Sequence, residues 1–339
     1  LKDEQFRINT LRGLACMLLV AYHVIGSDQT NGLKIADGFY RTISDLLSYL
    51  RMPLFTFLSG IVYAYKPCQT NAVNFLQKKA RRLLLPMLTV GTVFELLQQF
   101  ISGDKPVVDS WFLLHIIPVA HYWFVESLFM VFILVTILEK VKFLNNYKTW
   151  AIVLFVSAML YCMPITWPYF SFSGFIYLTP FFLAGMGVQR YNLITIPNRP
   201  LALVALLPMV ALFALTYINI LPMWEPRTLP ALLIGFAACI TLLALGLKSK
   251  LLARIGAFSY SIYLFHVFFT AFARILFGKL GMVHVEQIFI VSLTAGIVGP
   301  IIIEKILARF SLLGVLFLGK APKKPHALQA PTPVHSNMA

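Results

Sequence analysis

Charge is scarce in this chain of 339 residues, and negative charge is scarcest: 13 Asp and Glu stand against 28 Lys and Arg, and charged residues total 12%. A soluble domain carries about a quarter of its residues as charges, so half that share beside 59% hydrophobic residues excludes a water-soluble globular fold. Cysteine is equally sparse. The four at positions 16, 68, 162 and 239 include three in or at the ends of apolar segments, which excludes a disulfide framework. No window alternates apolar and polar residues as a strand does, so the remaining solution for a membrane chain is a helical bundle. There is no Gly-rich phosphate loop, no HExxH and no paired-Cys pattern among the 7 His and 4 Cys, so no metal is expected. Internal repeats and an appended soluble domain are also missing.

What is present is a series of long apolar runs. About ten are long enough to cross hydrocarbon: roughly 8–27, 44–64, 83–101, 121–139, 150–163, 174–189, 201–220, 229–247, 255–277 and 286–306. The expected fold is therefore all-α, a polytopic membrane bundle of about ten transmembrane helices occupying 1–319. The fifth and sixth runs are short. Pro164, Pro168 and the aromatics Trp167 and Tyr169 predict an interfacial turn between them. Placing the N terminus inside leaves about 21 of the 28 basic residues on the cytoplasmic side, around Lys78–Arg82, Lys140–Lys148, Arg190–Arg199, Lys248–Arg254 and Lys305–Lys324. Both termini are then cytoplasmic. The net charge of +15 reads as topology and attraction to anionic membrane lipid. Nucleic acid is not an expected partner, because the basic residues are dispersed among loops. The first apolar run lacks a clean cleavage site and is expected to be retained. The stretch 320–339, rich in Ala, Pro, Lys and His without apolar period, reads as a disordered cytoplasmic tail.

Ionisable groups inside such runs are costly and mark functional paths. Arg12 and His23 lie eleven residues apart on the first run, which returns them to one helix face about 16 Å apart along the axis. His23, Glu95 and His266 fall at comparable depth from three different runs. Two readings fit: a polar reaction cavity, or a structural hydrogen-bond network with Arg12 snorkelling to headgroups. An imidazole titrates near neutrality, so His23 suits a general base. Lys78, Lys79, Arg81 and Arg82 suit either phosphate groups or anionic headgroups. Towards the other side, Arg51, Ser59 at a spacing of eight, Glu126 and Trp123 are candidates to line a vestibule for a sugar. Trp at a helix end equally serves as an interface anchor. Ser259 and His266 share a face of the ninth run, with Tyr263 beside them.

Five blocks in order then carry a resemblance. They are Leu11-Arg12-Gly13-Leu14-Ala15 with His23; Met52-Pro53-Leu54-Phe55-Thr56-Phe57-Leu58-Ser59-Gly60; Phe75 through Lys78-Lys79-Ala80-Arg81-Arg82-Leu83-Leu84-Leu85-Pro86; Tyr122-Trp123-Phe124; and Ser259-Tyr260-Ser261-Ile262-Tyr263-Leu264-Phe265-His266. From about Ile8 to about Phe310 the chain resembles the acyltransferase-3 family, integral membrane enzymes that move an acyl group, commonly acetyl, onto sugars of surface and exported glycans. The resemblance implies an acyl-CoA donor, acetyl-CoA as co-substrate, and a glycan or lipid-linked sugar as acceptor. It implies that Arg12 and His23 are both functional, and Glu126, singled out by its own chemistry and position, is the catalytic candidate beside them. It implies donor binding by Lys78, Lys79, Arg81 and Arg82 and a place at the acceptor for the late block with Tyr263 and His266; Arg51, Ser59 and Trp123 join them as acceptor-binding candidates from their own chemistry. Where the family often has Asp shortly before Leu-Arg-Gly, this chain has Asn9, which removes a charge partner for Arg12. The expected location is a bacterial inner membrane. The rival readings are a proton-coupled secondary transporter and a non-catalytic glycan-assembly protein; oligomeric state, acyl group and glycan stay open at this level.

Overall fold

The sequence pattern condenses into helices because backbone polar groups in hydrocarbon must be satisfied within their own segment. A computed structural model describes residues 2–321 except 29, 69–70, 103–112, 118, 219 and 222, with the backbone alone at 101–102. The helices are α1 (Lys2–Ile25), α2 (Phe39–Leu46), α3 (Ser48–Tyr65), α4 (Ala72–Ser102), α5 (Trp123–Lys140), α6 (Tyr147–Cys162) and α7 (Phe172–Arg190). They continue with α8 (Arg199–Tyr217), α9 (Leu229–Ala244), α10 (Lys250–Ala257), α11 (Ser259–Lys279), α12 (Val285–Leu307) and α13 (Ser311–Leu318). Among the described residues there is no strand, and the only bridge joins Leu114 to Ile117. The all-α polytopic fold expected from composition is thus the fold observed. Residues 322–339, most of the expected tail, lie outside the described residues.

Among the described residues, eight helical units are long and apolar enough to cross a membrane, α2 and α3 counting as one, and α6 and α9 are apolar helices of 16 residues each. Sixteen residues reach about 24 Å, short of the roughly 30 Å hydrocarbon core, which is why the fifth run looks marginal. Connections rich in Lys and Arg gather at one end of the bundle, the basic face. There Arg7 donates to Ile196 O at 3.0 Å, Lys248 pairs with Asp3 at 2.7 Å, and Arg190 pairs with Glu139 while donating to Leu144 O at 2.8 Å. At the opposite face Arg227 donates to Met163 O and Ile165 O, and Tyr49 donates to Trp224 O at 2.7 Å.

Three of the boundaries that differ from the hydropathy reading bear on the site, each for a physical reason. α4 begins at Ala72 and not near 83, so the Lys78–Arg82 block stands on helix and not in the loop before it. Lys, Arg and Gln are good helix formers, and a hydropathy window registers only the apolar continuation. The run expected over 44–64 is two helices meeting at Leu47. The run expected from 255 is split at Phe258, leaving α10 as a separate short helix capped by the Ser249 hydroxyl, which accepts from Leu252 N. The predicted turn between the fifth and sixth runs is the segment 163–171 between α6 and α7.

Helices in lipid gain little from hydrophobicity against one another, so close backbone approach between small residues does the joining. Two reciprocal glycine pairs show it. A Cβ on Gly13 would stand 2.0 Å from Leu252 O and one on Gly256 1.9 Å from Asn9 O, locking α1 to α10. A Cβ on Gly60 would stand 2.0 Å from Phe182 O and one on Gly185 2.0 Å from Phe57 O, locking α3 to α7. Gly13 and Gly60 belong to the first two sequence blocks, so those blocks encode packing as well as chemistry. Because the obstructing atoms are backbone, Gly60→Val must push α3 and α7 apart. We expect it to cost at least about 1–3 kcal/mol, the usual range for overpacking, read as a lower midpoint of thermal unfolding in detergent than for the native protein. The outer helices present apolar side chains to lipid: Ile152, Phe155 and Val156 on α6, Leu203, Val204 and Leu207 on α8, and Ile290, Val298 and Ile302 on α12.

Candidate active site

Three imidazoles meet inside the bundle. The ring centroids of His23 and His266 are 4.8 Å apart, those of His121 and His266 4.9 Å, and those of His23 and His121 5.4 Å. His266 is completely buried and His121 nearly so, while His23 is half-buried and open to the space beside it. Each comes from a different element. His23 stands in the last turn of α1, which Gly26 ends by adopting a φ of +103°. His266 lies one third of the way along α11, which continues to Lys279, about 20 Å further. α1 therefore stops at a level where its neighbours are still mid-course, and the cluster sits deep below the far rim.

His121 belongs to a single 3-10 turn, Ala120–Tyr122, that precedes α5. The described residues of 113–122 are irregular, with positive φ at His115 and Ala120, and they pack on α4 through a 2.9 Å contact between His115 Nε2 and Thr92 Oγ1. Irregular backbone at this depth is tolerated because protein surrounds it. The turn is stapled to α11 on both sides. His121 Nε2 donates to Tyr263 O at 3.1 Å, Tyr263 Oη donates back to His121 O, and Tyr122 Oη donates to Leu264 O at 3.0 Å. The sequence places His121 only beside Trp123 at the outer end of the fourth run, with no role of its own. Its position at the start of an apolar run implies a place near the surface, whereas the turn Ala120–Tyr122 that carries it is bonded to α11 beside His266.

Towards the basic face, Arg12 is on the same helix face as His23 and about 16 Å from it. The structure brings Lys79 and Arg82 to it, near enough for the three cations to repel one another. Lys79 Nζ lies over the Phe132 ring at 4.0 Å, and Arg82 lies over Tyr260 at 5.6 Å. Lys78 and Arg82 are exposed, and Arg81 is half-buried with its Nε unbonded. A cation cluster of this kind is a ready receptor for a polyanion.

Towards the far face, the Arg51 guanidinium lies 3.8 Å over the Tyr22 ring and donates to Ser44 O at 2.7 Å, close enough to His23 to act on it electrostatically. It interacts likewise with Tyr177, which lines a cleft of about 620 Å³ together with Trp123, Trp167, Ser171, Ser173 and Gly174. Glu126 is buried behind Ser171, a lining residue of this cleft: its carboxylate accepts from Ser171 Oγ, while Ser127 Oγ donates to Ser171 O at 2.8 Å. Ser171 holds a left-handed conformation with φ +51°, which presents its hydroxyl to that carboxylate. Sequence reasoning misses Trp167, Ser171 and Tyr177 as site residues, because they come from a connecting segment and a helix with no charge to mark them. Ser59 donates to Phe55 O within its own helix at 2.8 Å. Glu95 is buried on α4 and accepts from Gln99 at 3.2 Å, and its neighbour Phe94 packs against His121. All four cysteines are free. Among the described residues, no three His, Cys, Asp or Glu side chains are disposed to hold a metal ion.

A half-buried imidazole thus stands within a polytopic bundle, with a cluster of cations on one side of it and Arg51 beside an aromatic-lined cleft on the other. The acyltransferase-3 family model, described as an acyltransferase domain, matches residues 6–309, and the chain belongs to that family: it is a membrane acyltransferase. No curated protein and no solved structure matches the chain.

Proposed function

We propose that the protein transfers an acyl group, in the first instance acetyl, from acyl-CoA to a hydroxyl of a glycan or lipid-linked sugar, in a bacterial inner membrane with both termini in the cytoplasm. The observation that carries this reading is the position of His23 between the Arg12, Lys79 and Arg82 cations at one end and the Arg51 and Tyr177 side of the cleft at the other. A coenzyme with several phosphates suits a site of three mutually repelling cations, since guanidinium and ammonium groups bind phosphate by charge-assisted hydrogen bonds. Lys78 and Arg81 extend the same positive field at the membrane surface, where anionic lipid also gathers. An extended pantetheine arm then leads the thioester along α1 towards His23.

The acceptor enters from the far side. Trp123, Trp167 and Tyr177 offer ring faces for a sugar, Ser171 and Ser173 offer hydroxyls, and Glu126 and Arg51 act from behind the lining, Glu126 by accepting from Ser171 Oγ and Arg51 through its interaction with Tyr177. His23 takes the hydroxyl proton as the oxygen forms its bond to the thioester carbonyl carbon. When the tetrahedral intermediate collapses, the carbon–sulfur bond breaks and the proton on His23 passes to the departing thiolate, leaving an ester and free coenzyme A. The reaction balances without an oxidant or a reductant.

The test uses purified protein in lipid bilayers, acetyl-CoA labelled in the acetyl group, and a panel of extracted glycans and lipid-linked sugars. The expected result is a base-labile label on at least one acceptor with release of an equal amount of coenzyme A. Proton-coupled uptake of solute, with no acceptor labelled and no coenzyme A bound, would establish the transporter reading in its place.

A further inference from the structure

His266 carries an unused lone pair whose position is fixed by the backbone. Its Nδ1 lies 2.8 Å from Ile262 O and 3.0 Å from Tyr263 O. A carbonyl oxygen only accepts, so Nδ1 bears the hydrogen, and a neutral imidazole has one N–H. Nε2 is then a bare acceptor. It is buried and bonded to nothing among the described residues, although buried polar atoms as a rule find partners. His121 is locked in the opposite sense: its Nε2 donates to the same Tyr263 carbonyl, which leaves its lone pair on Nδ1. One backbone oxygen thus fixes the tautomers of two imidazoles, and both rings border His23.

His23 has no such backbone anchor among the hydrogen bonds of the described residues, and its ring centroid is nearer to His266, at 4.8 Å, than to His121, at 5.4 Å. Imidazole nitrogens lie on the ring rim, so that separation spans a direct N–H···N bond once the His23 ring turns its nitrogen towards Nε2. The neighbours hold the frame rigid. Gly296 on α12 has no room for a Cβ, which would stand 2.4 Å from Thr270 Cγ2 and 2.6 Å from Val20 Cγ1, so α1, α11 and α12 are in closest contact beside the cluster.

We infer that His266 is the positioning residue of the reaction: its backbone-locked Nε2 accepts the N–H of His23, and so assigns the other His23 nitrogen to the incoming hydroxyl. The role corresponds to that of the carboxylate in a Ser-His-Asp triad, which holds the catalytic imidazole in one tautomer, with a neutral imidazole as the orienting group. When His23 takes the hydroxyl proton, the resulting cation keeps its hydrogen bond to the His266 lone pair. This inference rests on the reading of His23 as the base, and it removes His266 from direct contact with the acceptor.

The experiment is solid-state NMR of the full-length protein in lipid bilayers, with histidine labelled by 15N at both ring nitrogens and signals assigned by single substitutions. His266 is expected to show a protonated Nδ1 and an unprotonated Nε2, His121 the reverse, and His23 a single neutral tautomer. His266→Asn keeps an N–H donor near the Nδ1 position for the helix carbonyls and deletes the Nε2 acceptor. It is expected to leave the His121 signals in place while His23 divides between two tautomers. If His266 served only to brace α11, Asn would replace it and His23 would stay in one form. That result, or a wild-type His266 carrying its proton on Nε2 or on both nitrogens, overturns the proposal. The wild-type spectrum decides the tautomers even where the variant fails to fold. The NMR sample holds neither acyl donor nor acceptor, so a failed transfer assay and a failed tautomer assignment are separate outcomes.

Discussion

His23→Ala is expected to reduce acyl transfer by about 10²–10⁴, the usual contribution of a positioned general base, while the protein still inserts, folds and binds coenzyme A. Folding should survive because His23 contributes no backbone anchor to the bundle: the staples across this region run between His121 and Tyr263 and between Tyr122 and Leu264. Coenzyme A binding should survive because Arg12, about which the cations proposed for phosphate gather, lies about 16 Å from His23 along α1. Single-turnover transfer from labelled acetyl-CoA, measured beside coenzyme A affinity, separates chemistry from binding. Wild-type turnover by a correctly inserted His23→Ala protein would exclude His23 from the mechanism.

Replacing Lys79 and Arg82 together by Gln is expected to weaken acetyl-CoA affinity by about tenfold to 10³. A hydrogen bond to a charged group contributes about 1.5–3 kcal/mol when desolvated, and exposed Arg82 contributes less through solvent screening. The control is a short acetyl thioester that lacks the nucleotide. With no phosphate to lose, its transfer rate should be unchanged in the variant. Raising salt should weaken acetyl-CoA binding by the native protein more than by the variant, since fewer charge pairs remain to be screened. Headgroup anchoring makes the contrary prediction: altered insertion, equal loss with both donors, and unchanged coenzyme A affinity among the molecules that do insert.

Much of the fold can be read from composition because hydrocarbon imposes one rule on every residue. The windows near 121–139, 174–189 and 286–306 fall close to α5, α7 and α12, whose ends coincide with their apolar limits. Where the physics is not hydropathy, the reading stops. α4 runs eleven residues ahead of its expected start because helical propensity outlasts apolarity, and the α2–α3 junction at Leu47 leaves no trace in a sliding window. In the site, depth counted from the basic boundaries brings His23 and His266 to one level, and the structure places them in contact. His121 escapes such a count, since the start of an apolar run reads as the membrane surface, whereas its 3-10 turn is bonded to α11 inside the bundle. The cleft is only partly legible: Trp123 and Glu126 carry chemistry in their side chains, but Ser171 acquires its role from a left-handed backbone that no residue type announces. Ser59 shows the converse, a hydroxyl at promising spacing that bonds to its own helix.

A path for the donor from the basic face to His23 is the central claim. A density map of the protein in lipid nanodiscs with a non-hydrolysable acetyl-CoA analogue tests it most directly. Phosphates are expected against Arg12, Lys79 and Arg82, the pantetheine arm along α1, and the acyl carbon within reach of the His23 ring. A coenzyme lying outside the bundle, with its acyl end remote from the three imidazoles, would contradict it.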